Sequence, residues 1–490
     1  MFLNTLQNTI INGGFDFWQR GSSFTSVADA TYTADRWRYR KSGSMVQDVS
    51  KSVVSTSDPV LNGLNLTTTA GSSVGTGSEL ATNSGFDSTI LGWTASGGTI
   101  SWSAGNMALA SGTTYFEVYQ DVSGLTVGQT YVIEAQITKS ETSRAAGLKV
   151  YTSGGATLIS QSSQTTPTTF TATLVFTATG TSHRIALYYD RNAAMSLVSD
   201  YISLKVSGAS KTADLCYIQQ PIEGNIIKHL LGKKVALSFW VKSSKVGTYC
   251  VRVANDLNTL CYVSEYSILV ADTWEKKTIH LSLDYSTGGV WLTDTSASLY
   301  LSFVMSAGST YNFAAPNSWF SGSAFATGNQ ANLFDRVGST FNLANVILTA
   351  DNEGQKRSPV FLRAGRDYAE ELRLCQRYYE KSYLPAVTPG TNTIAGMMWV
   401  ESSTTSNKHF YMAFASEKRV VPTMSTWDRA GNASKLTNTN NVTYTDNVTN
   451  SPGGTVANMS GTRGLSWVVA AQTTPTHNTG FHWVADAELA

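Results

Sequence analysis

The sequence predicts an all-β protein in which one β-sandwich is inserted into a loop of another. Three observations support this prediction: a composition rich in β-forming residues, short segments with alternating polarity, and a duplicated motif whose second copy interrupts the first. Only 14% of the 490 residues are charged, while 22 are Tyr and 12 are Trp. This balance is typical of β-sheet surfaces rather than of helical bundles or disordered chains. A chain of this length is expected to form about three domains, at roughly 100–200 residues each.

The duplicated motif has two openings and two bodies. Residues 12–16 (NGGFD) and 83–87 (NSGFD) are the openings. Residues 119–137 and 217–241 are the bodies, and each has a tyrosine-containing segment that ends at a glycine, a second glycine and an alternating strand. Along the chain the order is first opening, second opening, second body, first body. A domain inserted into a loop of its own relative produces this order.

The order of the blocks predicts four units. They are an outer domain of residues 1–80 and 210–356, an inserted domain of residues 81–209, a helical linker of residues 357–384, and a C-terminal β domain of residues 385–490. Small and polar residues dominate both junctions, near residues 71–79 and 208–213. Exposed polar loops of this kind are where insertions are tolerated.

Alternating segments define the strands of both copies. Within residues 131–137 the odd positions are apolar or aromatic, and Glu134 and Gln136 lie between them. The same period of two recurs at residues 170–177, 185–190, 235–241, 279–283 and 299–305. Many short segments of this period, separated by Gly, Ser, Asn and Asp, indicate a β-sandwich or barrel. Helical spacing is found instead at residues 367–381, which predicts the helix of the linker.

The charge pattern and the cysteines limit the partners and the compartment. The net charge is +1 without a basic or acidic block, which argues against electrostatic binding of nucleic acid or of an anionic membrane. No apolar run approaches the length of a membrane span, so membrane insertion is not expected. The first 14 residues lack the pattern of a secretory signal. The cysteines, Cys216, Cys250, Cys261 and Cys375, have no metal-ligand spacing. We expect buried free thiols made in a reducing cytoplasm, with a Cys250–Cys261 disulfide across neighbouring strands as the alternative.

Several segments together resemble tailed-phage virion proteins. They are residues 11–21 (INGGFDFWQRG) with 34–37 (ADRW), 237–243 with 271–277, the helix at 374–381 (LCQRYYEK) and the ending 483–489 (WVADAEL). The resemblance is to tail-fibre or head-fibre subunits built on carbohydrate-binding-module jelly rolls, and it covers nearly the whole chain. It implies a jelly-roll β-sandwich with a second jelly roll inserted in a loop, a linking helix and a small C-terminal β-sandwich.

The resemblance also implies a function. It is that of a virion fibre or spike subunit, with a tail fibre favoured, that binds host-surface polysaccharide during adsorption. Such a subunit contacts other virion proteins, forms a homo-oligomer that is usually a trimer, and is assembled in the host cytoplasm. No enzyme is expected, and the sequence contains no HExxH, GxSxG or P-loop pattern. Two alternatives remain: a head fibre, spike or structural adaptor without glycan binding, and a non-catalytic component of a polysaccharide-degrading system.

Candidate sugar-binding residues are aromatic or planar polar side chains that the alternation places off the core. In the inserted domain they are Glu134, Gln136, Tyr188 and Asp190, on strands that look adjacent, joined by Tyr119 and Trp102. In the alternative interpretation, Tyr188 covers the sheet edge and Trp102 belongs to the core. Trp240 occupies the place of Gln136 in the outer domain, as a binding aromatic or as a packing residue against the helix or a neighbouring subunit.

A structural calcium ion is a further expectation from the resemblance. Jelly rolls of this kind often hold Ca²⁺ between the acid of the opening and an acid near the last strand, here Asp87 and Asp200. Two acids with backbone carbonyls can supply the oxygen ligands that Ca²⁺ requires. In the outer copy, Asp16 has Asn345 near the matching place. A turn-capping Asp without a metal is the alternative for both copies.

Overall fold

The computed structural model confirms the all-β class. It describes residues 8–43, 45–70, 78–86, 88–110, 115–165, 168–190, 196–206, 213–283, 289–312, 314–333, 338–351, 366–401, 406, 408–448, 461–469 and 478–489. Within these ranges the α-helices are two short segments, α1 (Gly224–Ile227) and α2 (Tyr368–Gln376). Neither helix of the described residues has the length and apolarity that a membrane crossing requires.

The strands follow one another in four groups along the chain. The first group is β1 (Ser23–Phe24), β2 (Arg38–Ser42), β3 (Val46–Lys51) and β4 (Leu64–Ala70). The second is β5 (Thr94–Ser96), β6 (Thr99–Ser103), β7 (Asn106–Ala110), β8 (Tyr115–Ser123), β9 (Thr130–Lys139), β10 (Ala146–Thr152), β11 (Leu158–Gln161), β12 (Thr169–Thr177), β13 (Ser182–Asp190) and β14 (Leu197–Val206). The third is β15 (Leu215–Glu223), β16 (Lys234–Ser243), β17 (Gly247–Asn255), β18 (Leu260–Ile268), β19 (Glu275–Ser282), β20 (Ala297–Ala307), β21 (Ser318–Ser321) and β22 (Thr340–Ala350). The fourth is β23 (Tyr379–Lys381), β24 (Met398–Glu401), β25 (Lys408–Ala413), β26 (Thr423–Trp427), β27 (Leu436–Thr439), β28 (Tyr444–Val448), β29 (Gly464–Val469) and β30 (Asn478–Asp486).

Two of the sandwiches have the strand order of a jelly roll. In that fold eight successive strands form two Greek-key sheets, a first sheet of order 1-8-3-6 and a second sheet of order 2-7-4-5. The inserted domain has this order in β7–β14, with sheets β12-β9-β14-β7-β6 and β11-β10-β13-β8-β5. The outer domain has it in β4, β15–β20 and β22, with sheets β1-β3-β4-β22-β16-β19 and β2-β15-β20-β17-β18-β21. The inserted strands therefore lie between the first and second strands of the outer jelly roll.

The duplicated openings have the same backbone turn in both jelly rolls. Asn12 and Phe15 adopt positive φ angles of 55° each, and Asn83 and Phe86 adopt 52° and 51°. Such left-handed conformations are uncommon outside Gly and persist where surrounding contacts fix them. Tryptophan side chains help to stabilise these turns. Trp37 Nε1 donates to the Asn12 carbonyl at 3.0 Å, and Trp93 Nε1 donates to the Asn83 carbonyl at 3.3 Å.

A glutamine on the second strand clamps the residue just before each turn. The Gln220 side chain accepts from the Ile11 N–H at 3.0 Å and donates to its carbonyl at 2.8 Å. Gln120 binds Thr82 in the same way, at 2.7 and 3.0 Å. The last strand is also tied to the turn, by Val346 N–H to Gly13 in one copy and Ile202 N–H to Ser84 in the other, both at 2.9 Å. The turn angles, the tryptophan bonds, the glutamine clamps and the last-strand bonds all correspond between the two jelly rolls. The sequence repeat is therefore also a structural repeat.

The cores follow the alternation expected from the sequence. In β9, Ile133, Ala135 and Ile137 are fully buried in the core of the inserted domain. Strands of the two outer sheets enclose a separate and larger core around Trp37, Phe239 and Phe303. Each jelly roll therefore buries its own apolar surface, which is the main stabilising term for a domain of this size.

The predicted helix at residues 367–381 is shorter than expected. Asp367 caps α2 by accepting from the Glu370 N–H at 2.7 Å, which is a typical N-cap contact. The helix ends at Gln376, and Tyr379 already pairs with Asp486 as part of β23. The pairing of β23 with β30 therefore replaces the last predicted turn.

The C-terminal β domain is a small sandwich built around β30. This strand pairs with β23, β24, β26 and β27, and the two-stranded sheet β25-β29 contributes to the same core of Phe481, Trp467 and Leu465. The chain then returns to the outer domain. There the Glu488 carboxylate forms buried ion pairs with Arg36 and, at 3.3 Å, with Arg20. The last residues thus fasten the C-terminal domain to the outer jelly roll.

The four cysteines are buried and free, as expected. The alternative disulfide is wrong, because Cys250 lies opposite Glu265 in the β17–β18 ladder and Cys261 lies opposite Ala254. The two sulfur atoms are therefore at different levels of the same sheet rather than on paired residues.

We expect the two jelly rolls to fold separately, because each has all eight of its strands. Glu79 belongs with the inserted part, since its carboxylate accepts from Ser203 Oγ at 2.6 Å and from the Leu204 N–H at 2.7 Å. Residues 78–206 expressed alone, and the chain with residues 71–212 replaced by a short Gly/Ser linker, should each unfold in one cooperative thermal transition. Loss of cooperative unfolding in both products, measured by calorimetry, would contradict the nested arrangement.

We also expect four thiols to titrate in the denatured chain without reductant. Burial raises the pKa of Cys250 to about 11 and raises the pKa values of Cys216 and Cys375 as well. Few thiolates then form at neutral pH, so the native chain should react slowly with a thiol reagent. A count of two thiols after denaturation would indicate a disulfide and contradict the free state.

Candidate functional site

The structure separates the predicted sugar-binding residues of the inserted domain onto two sheets. Tyr119, Tyr188 and Asp190 lie on β8 and β13 of the second sheet, whereas Glu134 and Gln136 lie on β9 of the first sheet. The expectation that Glu134, Gln136, Tyr188 and Asp190 share one face is therefore wrong. In a jelly roll the third and seventh strands belong to opposite sheets, so their outward side chains point away from each other.

The two candidate tryptophans differ in their surroundings. Trp102 is 45% exposed, so the alternative that it belongs to the core is wrong. It lies opposite the buried Met107 at the end of the first sheet, and its Nε1 donates to the Phe86 carbonyl at 2.6 Å. Trp18 makes the equivalent bond to Phe15 in the outer copy, at 2.9 Å. Trp240 is half-buried and packs on the cluster of Val60, Trp274 and Ala344. Neither the α2 helix nor another subunit is needed to cover it.

The calcium expectation is only partly within the described residues. Asp87 lies outside them, while Asp200 is exposed at an irregularity of β14 between Ser199 and Ile202. The Ile202 N–H bond to Ser84 brings this irregularity next to the opening turn. In the outer copy, Asp16 accepts from Asn62 at 2.8 Å. No group of three or more His, Cys, Asp or Glu suited to a metal occurs among the described residues, and calcium binding stays a prediction.

The outward side of the second sheet in the inserted domain carries a dense set of aromatic and charged side chains. Alternation turns the even residues of β8 inward, such as the fully buried Phe116 and Val118. The odd residues therefore face outward, and strand pairing places them beside outward residues of β13 and β10. We call this surface the tyrosine face, and it consists of Tyr115, Glu117, Tyr119, Asp121, Lys149, Tyr151, Arg184 and Tyr188.

A lysine and two tyrosine rings form the centre of the tyrosine face. The rings of Tyr115 and Tyr188 stack with centroids 6.3 Å apart and an angle of 24°. Lys149 Nζ lies 4.8 Å from the first centroid and 4.6 Å from the second. Cation–π contacts of this kind hold aromatic rings in place. Tyr115 is 41% exposed and Tyr188 only 6%, so Tyr115 presents the accessible ring and Tyr188 supports it from below.

Glu117 connects the charged groups of the centre. Its carboxylate accepts from Tyr115 Oη and, at 2.5 Å, from Tyr151 Oη, and it lies 3.3 Å from Lys149 Nζ. Burial and the bond to Glu117 raise the pKa of Tyr151 to about 12. Both phenols are therefore neutral at physiological pH and act as donors to Glu117. The network fixes the tyrosine rings before any ligand arrives.

A second ion pair lies along the same face. Arg184 binds Asp121 through two hydrogen bonds of 2.9 and 2.8 Å, and its guanidinium lies 3.8 Å from the centroid of the Tyr119 ring. Hydrogen bonding to Arg184 lowers the pKa of Asp121, so this carboxylate stays ionised. The Asp121 side chain is 44% exposed and therefore retains acceptor capacity toward solvent or a ligand.

The corresponding face of the outer jelly roll is covered by its own chain. Phe325 packs on Tyr217 of the second strand with ring centroids 4.9 Å apart. Arg252 of the fourth strand donates to the Ala324 carbonyl at 2.7 Å and lies 4.2 Å from the centroid of the Phe325 ring. Tyr217 is only 5% exposed as a result. Each jelly roll therefore has its own second sheet of the same strand order. The outer copy covers the outward side of this sheet, whereas the inserted copy exposes it to solvent with rings such as Tyr115.

Sequence reasoning found only Tyr119 and Tyr188 of this surface, and the neighbouring Asp190. It missed Tyr115, Glu117, Asp121, Lys149, Tyr151 and Arg184, although the alternation of residues 115–121 and 184–190 was visible. Matching the two alternating segments as paired strands would have brought Tyr188 beside Glu117 and Arg184 beside Asp121, as observed. Asp190 lies at the end of the face, opposite Tyr115.

Comparison with known proteins gives fold likeness alone. No family model matches the chain, and no curated protein sequence matches it. Among solved structures, the N-terminal CBM22-1–CBM22-2 tandem domain of Paenibacillus barcinonensis Xyn10C is 12% identical over 58% of this chain and 98% of that chain, with a TM-score of 0.22. A CBM4 structure is 20% identical over 25% and 99%, with a TM-score of 0.22. The triple jelly roll of an archaeal virus turret is 10% identical over 81% and 90%, with a TM-score of 0.14. The jelly-roll assignment therefore depends on the strand order of this chain itself.

Proposed function

We propose that the chain is a virion fibre or spike subunit whose inserted domain binds host-surface polysaccharide through the tyrosine face. The observation that carries this proposal is the difference between the two jelly rolls. The outer copy covers the outward side of its second sheet with Phe325, whereas the inserted copy presents Tyr115 and a charged network there. An exposed aromatic and polar surface on a projecting module is typical of a recognition site.

The chemistry of the tyrosine face suits a neutral or weakly charged glycan. A pyranose ring has one apolar face that packs on a flat aromatic ring, here Tyr115, and a rim of hydroxyls that pairs with planar acceptors and donors such as Asp121 and Arg184. The ion pairs on the face are internally balanced, since Lys149 pairs with Glu117 and Arg184 with Asp121. A strongly anionic or cationic ligand would have to break one of these pairs.

The setting in a virion comes from the resemblance of the whole sequence to tail-fibre and head-fibre subunits, with a tail fibre favoured. A homo-oligomer, most simply a trimer, would present several tyrosine faces on one particle. A single exposed face desolvates few groups and should bind weakly, but simultaneous contacts raise the apparent affinity by roughly 10²–10⁴ when the geometry allows them. We therefore propose a non-catalytic adsorption role in which multivalency supplies the strength.

We expect Tyr115→Ala to weaken binding of the assembled protein to bacterial envelope polysaccharide. Removing one stacking ring should reduce the affinity of a single face roughly five- to tenfold, and the loss should be larger for the oligomer. The measurement is binding to an array of envelope polysaccharides, with thermal melting to confirm that the domain stays folded. Tyr201→Ala is the matched control, because this half-buried tyrosine lies on β14 of the opposite sheet.

Three outcomes would decide between the proposals. Equal binding by the wild type and Tyr115→Ala, with a loss in the Glu134→Ala/Gln136→Ala double variant, would move the site to the first sheet. Unchanged adsorption by particles lacking residues 78–206 would move recognition out of the inserted domain. An oligomeric particle protein without affinity for any polysaccharide would favour the structural adaptor.

A further inference from the structure

A cleft opens at one edge of the outer jelly roll, in a different domain from the tyrosine face. It lies between β19, the last strand of one sheet, and β21, the last strand of the other. Its volume is about 380 Å³, within the range of small-molecule sites. Its lining includes Tyr262, Trp319, His280, Asp351, Lys234 and Asn317.

The aromatic wall of the cleft is held rigidly. Trp319 Nε1 donates to the Ser282 carbonyl at 2.8 Å, so the indole of β21 is bonded to β19 of the facing sheet. Trp291 meets this indole edge-on at 5.9 Å and 85°, and Tyr262 contacts it at 5.4 Å. Trp319 is half-buried and keeps part of its surface exposed, while both neighbours are buried. One fixed indole surface is therefore available to a ligand without reorganisation, which limits the entropy cost of binding.

The opposite wall is polar and nearly balanced in charge. His280 Nδ1 lies 3.3 Å from Asp351 Oδ2, and the Asp351 side chain is 10% exposed. The Asp351 N–H is bonded to the Lys234 carbonyl at 2.8 Å, which brings the two chain segments together at the rim. The opposite charges of Lys234 and Asp351 offset each other, so the cleft does not attract an ion strongly. Its donors and acceptors suit the hydroxyl groups of an uncharged ligand.

We propose that this edge cleft binds a single neutral pyranose residue. The indole of Trp319 matches the apolar face of a sugar ring, and Asp351, His280 and Asn317 match its hydroxyls. The tyrosine face, by contrast, is an open sheet surface along which an extended chain can lie.

The edge cleft is independent of the proposed function of the inserted domain. It is formed entirely by strands and loops of the outer jelly roll, on residues 234–351. A chain with the Tyr115→Ala/Tyr119→Ala double substitution therefore separates the two sites. If the tyrosine face does not bind glycans, the cleft can still bind a sugar in this double variant. If the cleft does not bind a sugar, the proposal for the tyrosine face is unaffected.

The test is fluorine NMR of the full chain labelled with fluorotryptophan, titrated with methyl glycosides of glucose, galactose, mannose and N-acetylglucosamine. Trp319→Phe assigns the Trp319 resonance and keeps a ring in the cleft. We expect at least one glycoside to shift the Trp319 signal, and its packed neighbour Trp291, in a saturable way at millimolar concentration. The Trp274 signal should stay unchanged, because this residue precedes the other end of β19 and packs in a separate cluster with Val60 and Ala344. The same shifts should appear in the Tyr115→Ala/Tyr119→Ala background.

Asp351→Asn supplies the second variant, because it keeps the size of the side chain and removes the charged acceptor. Loss of one charge-assisted hydrogen bond should weaken the saturating glycoside roughly tenfold. No shift of the Trp319 signal with any glycoside would overturn the proposal. Equal shifts of all tryptophan signals, or shifts that do not saturate, would also overturn it, because they would indicate solvent effects rather than a site.

Discussion

The nested arrangement depends on how each jelly roll satisfies the backbone of its own opening turn. In the outer copy the turn is buried, and an unpaired N–H or carbonyl there would cost about 1–3 kcal/mol. Gln220 pairs with both polar atoms of the Ile11 backbone, and Gln120 does the same for Thr82. Because the clamp comes from the second strand, the opening turn of each copy is bonded to a strand of the same jelly roll.

The fold could be predicted from the sequence to the level of individual strands. Residues 119–124 and 217–224 were matched by pattern alone, and both prove to be second strands of a jelly roll, while residues 131–137 and 235–241 are both third strands. This success has a physical reason. The matched Phe86 and Phe15 share a left-handed turn, and the matched segments contain the two clamping glutamines, Gln120 and Gln220.

The candidate site could be predicted only in part. Alternation reveals which side of a strand a residue occupies, but not which of two sheets the strand joins, so Glu134 and Tyr188 were expected together although they lie on opposite sheets. That choice is made by hydrogen bonds between strands distant in sequence. Packing by loops cannot be predicted from the alternation either. Nothing in the local pattern indicates that Val60 packs near Trp240 or that Phe325 covers Tyr217.

The contact between the ends of the inserted domain has a consequence for how the chain folds as it is synthesised. Leu80 N–H bonds to the Leu204 carbonyl at 2.9 Å, so the two ends of the insertion lie side by side once it has folded. All inserted strands leave the ribosome before β15, and a complete domain can fold while the rest is still being made. The outer jelly roll then has to close a short effective loop between Ala70 and Leu215 instead of a long disordered one. Loop closure costs more entropy as the loop lengthens. The folded insertion therefore lowers the entropy cost of bringing together the strands of the outer jelly roll on either side of it.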